Sequence, residues 1–94
     1  MEFDWDDGNR DKNVRHGVHD REIEEALDDP NSIVIERLQV EGEERFIVLG
    51  RAGSSGKYLR VVFTVRMYGG YRFVRPISAV EMTQRNRRRY RRSQ

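Results

Sequence analysis

The chain has 94 residues, 36% of them apolar and 36% charged, with 18 Lys and Arg against 16 Asp and Glu and no cysteine. That is room for one domain around one thin core, which excludes a second domain and a large enclosed substrate cavity. The missing cysteine excludes disulfides, a thiolate nucleophile and a cysteine metal site and fits a reducing cytoplasm, while apolar runs no longer than residues 46–50 and 61–65, after an acidic start, point to no membrane segment.

Phe3-Asp4-Trp5 alternates apolar and acidic side chains and predicts a short edge strand, with Trp5 as a core anchor. Asp6 offers an N-cap to a first helix that ends at His16, where Gly17 suits the C′ position. A second helix follows Val18, capped by Asp20, with Ile23, Ala26 and Leu27 on one face and Glu22, Glu24 and Glu25 in its first turn, and Asp28-Asp29-Pro30 ends it. From Ser32 the apolar period falls from 3.6 to 2, and four strands are expected over 32–38, 44–51, 57–67 and 71–77. Gly42 lies in the first connection, residues 52–56 form the second, and Gly69-Gly70 reads as a two-residue type I′ hairpin.

In the third strand, alternation puts Leu59, Val61, Phe63, Val65 and Met67 on one face and Tyr58, Arg60, Val62, Thr64, Arg66 and Tyr68 on the other. In the second, Arg45 and Arg51 share a face with Ile47 and Leu49, opposite Glu44, Phe46 and Val48. Pro76 cannot donate to a ladder, so the last strand is expected to bulge or end there. From Ser78 a third helix is expected, basic over about 79–92. The fold class is α+β: a small antiparallel meander with two N-terminal helices and a C-terminal basic helix, in one domain over 1–94.

Charge divides the chain. Residues 1–31 hold 4 basic and 11 acidic residues, a balance of −7, and residues 32–94 hold 14 basic and 5 acidic, a balance of +9. An electropositive surface for a polyanion follows, with nucleic acid favoured over a membrane. Six arginines within Arg85 to Arg92 suit sequence-independent phosphate contacts, or else form a solvated helical tail. No helix-turn-helix pattern supports a DNA-binding regulator.

Taken together, Phe3-Asp4-Trp5-Asp6, Asn13, His16-Gly17-Val18, Glu44-Arg45-Phe46 leading to Leu49-Gly50-Arg51, Val61-Val62-Phe63-Thr64-Val65-Arg66, Arg75-Pro76-Ile77-Ser78-Ala79 and Arg88-Arg89-Tyr90 resemble, in order and spacing, the BrnT-type toxins of bacterial toxin-antitoxin pairs. The resemblance spans nearly the whole chain. It implies a fold similar to the RelE ribonucleases, endoribonuclease activity that arrests translation, and a cytoplasmic location. It also implies a BrnA-like DNA-binding antitoxin as partner, with operator DNA reached only through the complex. The sequence departs from the family pattern at Asn9, by one residue before His16, at Val80, where an arginine is common, and at Asn86. An alternative reading is therefore a module of the same fold that binds RNA or antitoxin without cleaving.

RNA cleavage without a metal uses the 2′-hydroxyl as nucleophile and needs a base, charge neutralisation at the phosphate and a proton for the leaving 5′-oxygen. Arg45, Arg66 and Arg75 are the candidates at the phosphate, because the guanidinium fork is planar, bidentate and always charged. His16 is a candidate acid or base, or a helix-end residue that needs no other purpose. Glu44 is the other candidate base, although regular alternation puts it on the face opposite Arg45. Further nucleic-acid contacts are expected from Arg51, Arg60 and Tyr68 on the sheet and from Arg87, Arg88 and Tyr90 on the last helix. No metal or other cofactor is expected: His16 and His19 straddle a turn and no second cluster completes a shell.

Overall fold

Two tight turns set the sheet. Glu41 and Gly42 (φ 51° and 79°) and Gly69 and Gly70 (φ 55° and 81°) take the left-handed geometry of two-residue hairpins, so each pair of flanking strands folds back on itself. In the computed structural model, which describes residues 1–94, β1 (Ile33–Val40), β2 (Glu43–Arg51), β3 (Tyr58–Tyr68) and β4 (Tyr71–Glu81) form one antiparallel sheet in the order β1-β2-β3-β4. The helices are α1 (Asp20–Asp28) and α2 (Gln84–Arg92).

Neighbouring residues on a strand point to opposite faces, and this sends the helices to opposite sides. Ile23, Ala26 and Leu27 of α1 pack on Val48, Leu59, Val61 and Ala79, with Phe3, Trp5 and Phe63 at the margin. Tyr90 of α2 packs with Met82 on Leu49, Ile33, Ile35 and Tyr58. Helix α1 lies so close to β2 that a Cβ on Gly50 would stand 2.1 Å from the Ala26 carbonyl oxygen, so only glycine fits there. The indole N–H of the half-buried Trp5 donates to Glu24 Oε2 at 2.7 Å, which makes it the anchor expected.

The expected first helix does not form. Residues 7–13 are turns, followed by a single 3-10 turn at Val14–His16, because the polar side chains there bond across the fold instead of along it. Asn9 Nδ2 donates to the carbonyls of Asp4 and Pro76, each at 2.9 Å, and Asn13 Oδ1 accepts from the Ala79 N–H at 3.0 Å. Phe3 contributes one parallel bridge to Val74 in place of a full edge strand. Together these contacts close the outer edge of β4, while the edge of β1 stays unpaired. Asn9, a departure from the family pattern, is thus a buried bracket between two segments.

The C-terminal boundary also moves. Strand β4 runs through Ser78, Ala79 and Val80 to Glu81, since Val62, Val61, Arg60 and Leu59 of β3 are there to pair with them, and ladder bonding overrides helix propensity. Helix α2 begins only after Thr83, whose hydroxyl accepts from the Asn86 N–H at 3.1 Å. Pro76 bulges as expected: Phe63 pairs with Pro76 and Val62 with Ser78, which leaves Ile77 without an opposite residue.

One buried carboxylate ties the loop before α1 to β3. Glu22 accepts from the His19 N–H at 2.9 Å and meets Lys57 Nζ at 3.0 Å, and the same ammonium donates to the Gly17 carbonyl at 2.7 Å. Burial works to raise the Glu22 carboxyl, but the His19 N–H, the Ser55 hydroxyl and Lys57 outweigh it and hold the group at about 2 against an ordinary 4.5. The unfolded chain therefore binds the extra proton first. Stability from this contact is complete above about pH 4.5 and drains as pH falls towards 2. Thermal melts of the parent between pH 6 and pH 2 should lose about 2–3 kcal/mol more than melts of Glu22→Gln over the same range. Parallel losses would remove Glu22 as the cause.

Candidate nucleic-acid interface on the open face of the sheet

Helix α2 covers only the end of its face near Leu49 and Tyr58. Towards the two hairpin turns no helix covers that face, where Ile47 and Thr64 are buried among longer polar side chains, and the strand register fixes what stands on it. Arg45 of β2 pairs with Thr64 of β3, and Thr64 pairs with Arg75 of β4, so these three form one row across the sheet. Arg66 lies two residues further along β3, opposite Phe73, on the same face.

Glu43 joins the two arginines of β2 and β3. Its carboxylate takes Arg66 at 2.8 Å through one oxygen and Arg45 at 3.5 Å through the other. Burial works to raise the Glu43 carboxyl, and the neighbouring Thr64 hydroxyl with the Arg66 and Arg45 guanidinium groups outweighs it, so the group sits below the ordinary glutamate range. Arg45 Nε is buried without a hydrogen-bond partner, a donor that an anion could satisfy. Thr64 is buried and its hydroxyl donates to the Glu44 carbonyl at 2.8 Å, which locks the strand under the pair.

The third arginine is engaged elsewhere. Arg75 holds Asp6 through two bonds of 3.0 Å and Asp4 at 3.3 Å, and Tyr68 donates its hydroxyl to Asp4 at 2.9 Å. The Arg75 guanidinium holds the Asp6 carboxyl below its usual range, with help from the Gly8 N–H. Arg75 thus shares the row with Arg45 but its fork is filled by the N-terminal segment.

Two expected site residues are not brought to this cluster. Glu44 is exposed on the α1 face, and His16 is exposed on the outer edge of β4, with Nδ1 at 3.3 Å from the Ala79 carbonyl. Ala79 lies four residues along β4 from Arg75, about 13 Å of strand. His16, His19 and Asp20 do not form a metal-ligand cluster.

Among the other expected contacts, Arg51 is exposed and stands over Tyr58, its guanidinium carbon 5.7 Å from the ring centre, and Arg87 covers the same ring at 4.5 Å. Arg88 is exposed, and Arg60 is half-buried opposite Val80. Tyr90 differs from its expected role: it is 3% exposed, its hydroxyl donates to Asp29, and burial with that contact pushes its phenol up to about 12. It is a packing residue, because the position that faces the sheet from a short basic helix is the one that must be apolar.

Glu43 is the functional candidate that the sequence reading passed over. It stands two residues from Arg45 and shares its face, because β2 starts at Glu43, one residue before the expected 44, and Glu44 points to the other side. A cleft of about 760 Å³ lies at the end of the sheet where the β3–β4 hairpin runs past the β1–β2 turn; Glu44, Phe46, Val65, Met67 and Arg72 line it from the α1 face, Glu43, Thr64 and Arg66 also border it, and Arg45 does not reach it. A hollow of about 820 Å³ between the ends of α1 and α2 is lined by Glu24, Glu25, Asp28 and Asp29 against Arg21, Arg51 and Arg91, a balance unsuited to a polyanion.

A four-stranded antiparallel sheet with a helix on each face, and two guanidinium groups converging on one carboxylate, defines a small α+β protein with a basic cluster on its sheet. The family of ribonuclease toxins BrnT, of type II toxin-antitoxin systems, matches residues 5–86, and the chain belongs to that family. Membership implies an antitoxin partner. No match is found among curated proteins. Neither helix is long and apolar enough to cross a membrane.

Proposed function

We propose that this chain is a metal-independent endoribonuclease whose phosphodiester site is the Arg45–Glu43–Arg66 cluster, with a RelE-like mode of RNA cleavage and a BrnA-like DNA-binding antitoxin as its inhibitor. The observation that carries the reading is the convergence of two guanidinium groups on one carboxylate, each of the three side chains partly exposed. A scissile phosphate takes Arg45 and Arg66 from Glu43, since a dianionic-like transition state gains more from the bidentate forks than one carboxylate does. Glu43 then loses its two positive neighbours and gains a negative one, so its affinity for a proton rises on substrate binding. A carboxylate that is inert in the free protein thereby becomes a base for the 2′-hydroxyl.

Attack of that oxygen on phosphorus breaks the bond to the 5′-oxygen, which takes a proton from water at this open face, and leaves a 2′,3′-cyclic phosphate. Arg75 keeps the N-terminal segment on β4 through Asp4 and Asp6 and adds its charge to the row without a free fork. The inhibitor covers the basic face, where charge of opposite sign gains most. Purified protein incubated with defined RNA in excess EDTA should give 5′-hydroxyl and 2′,3′-cyclic phosphate ends at the rate seen without EDTA. Loss of cleavage in EDTA, or products with 5′-phosphate ends, would overturn the mechanism, and binding without cleavage would favour the module that only binds.

A further inference from the structure

The exposed aromatic rings of this molecule stand at one place. Met67 is 58% exposed, Tyr68 50% and Tyr71 74%, all within the five residues of the β3–β4 hairpin tip. Met67 points to the α1 face, and Tyr68 and Tyr71 stand together on the other; two neighbouring exposed rings, on a chain that buries its other aromatic rings wholly or in part, mark a surface that meets something. Arg66 stands beside the rings on the same face, so what they meet is aromatic or apolar and negative beside them.

The tip is also well placed. Tyr68 and Tyr71 are directly opposite across the turn and therefore share a face, which is the face of Arg66. Tyr68 is held by its bond to Asp4 and by the Phe73 ring at 5.4 Å, whereas the Tyr71 side chain makes no hydrogen bond and no ring contact. Two residues of strand separate Tyr68 from Arg66, about 7 Å, and Arg66 meets Glu43 at 2.8 Å on the same face.

We infer that the hairpin tip is a base-stacking subsite for single-stranded RNA, in which the nucleobase next to the phosphate held by Arg66 lies on the Tyr71 ring, with Tyr68 as its fixed wall. Charge complementarity and continuity with the arginine cluster select RNA as the occupant, and the subsite rests on the ribonuclease reading above. Every base presents a π face, so the contact adds affinity and sets the register of the strand without reading a sequence.

The test uses the full chain and a fluorescein-labelled 2′-O-methyl oligonucleotide, which binds but has no nucleophile, alongside the same oligonucleotide with its bases removed over the bound stretch. Tyr71→Ala should weaken binding of the base-bearing strand by about 5- to 100-fold, leave binding of the abasic strand unchanged, and keep the salt slope, because no phosphate contact is lost. Tyr71→Phe should bind as the parent. The side chain is three-quarters exposed, so folding is preserved and a melting curve verifies it. A Tyr71→Ala variant that binds both strands as the parent does, or that loses the abasic strand equally, overturns the subsite, and the first result hands the patch to another occupant such as the antitoxin. A parent that binds the base-bearing strand but cleaves no ordinary RNA overturns the ribonuclease reading and leaves the stacking comparison decisive. A parent that binds neither strand overturns both.

Discussion

Glu43→Gln should lower the rate of RNA cleavage by about 10²–10⁴-fold, the range lost with a general base, while Glu44→Gln cleaves as the parent. The two residues are neighbours in sequence and lie on opposite faces of β2, so the pair separates a role at the cluster from a general effect of charge in this segment. The pH dependence carries a second signature. In the free protein the Glu43 carboxyl lies below the ordinary glutamate range, so the acid limb of kcat/KM should fall below pH 4.5. In the complex the arginines have turned to phosphate, and the acid limb of kcat should stand at a higher pH. Glu43→Gln should erase both limbs. Rates of the two glutamine variants measured under single turnover from pH 4 to pH 8 test this, and equal activity of Glu43→Gln and the parent would return Glu43 to a purely structural role.

The largest expected effect on stability belongs to Gly50→Ala. A methyl group there meets the backbone oxygen of Ala26 at 2.1 Å, and no side-chain rotation relieves a clash with backbone, so α1 must lift from β2. Moving that helix loosens the packing of Ile23, Ala26 and Leu27 on Val48, Leu59 and Val61, the larger of the two clusters. A cost of about 2–3 kcal/mol is expected for overpacking of this kind, which in a domain of this size lowers Tm by roughly 10–20 °C. Gly53→Ala is the control: nothing lies within 4 Å of its Cβ position and its φ is ordinary, so its Tm should stay within a few degrees. Equal melting of the two variants would mean that α1 does not sit against Gly50 as described.

Much of this fold is written locally. The Gly69-Gly70 turn, the alternation of β3 and the Ile23, Ala26, Leu27 face of α1 are short-range patterns, and each is where the sequence puts it. The N-terminal segment does not form the helix its local pattern suggests, because its decisive bonds are remote: Asn9 answers to Pro76 and Asn13 to Ala79, and no local pattern announces an asparagine that brackets a distant strand. Likewise Ser78 to Glu81 have no strong strand signal of their own and are extended because β3 is long enough to pair with them.

The geometry of the candidate site was legible to a similar extent. Arg45 and Arg66 come together as their strand positions imply, through adjacent strands and even spacing. The carboxylate between them was missed by a single residue, which in a strand reverses the face. The occupation of Arg75 by Asp4 and Asp6 depends on where the first six residues run, which the sequence pattern did not define.

The central claim is that Arg45, Glu43 and Arg66 act as one unit on the scissile phosphate, and a double-mutant cycle tests it most directly. Single-turnover cleavage of a defined RNA is measured for the parent, Glu43→Gln, Arg66→Ala and the double variant, with binding of the 2′-O-methyl strand measured in parallel. Groups that serve one transition state are not additive, so the double variant should cleave nearly as fast as the slower single variant, with each single change costing about 10²-fold or more. Full additivity of the two losses, or a folded Arg66→Ala protein that cleaves at the parent rate, would contradict the account and place the chemistry away from the open face of the sheet.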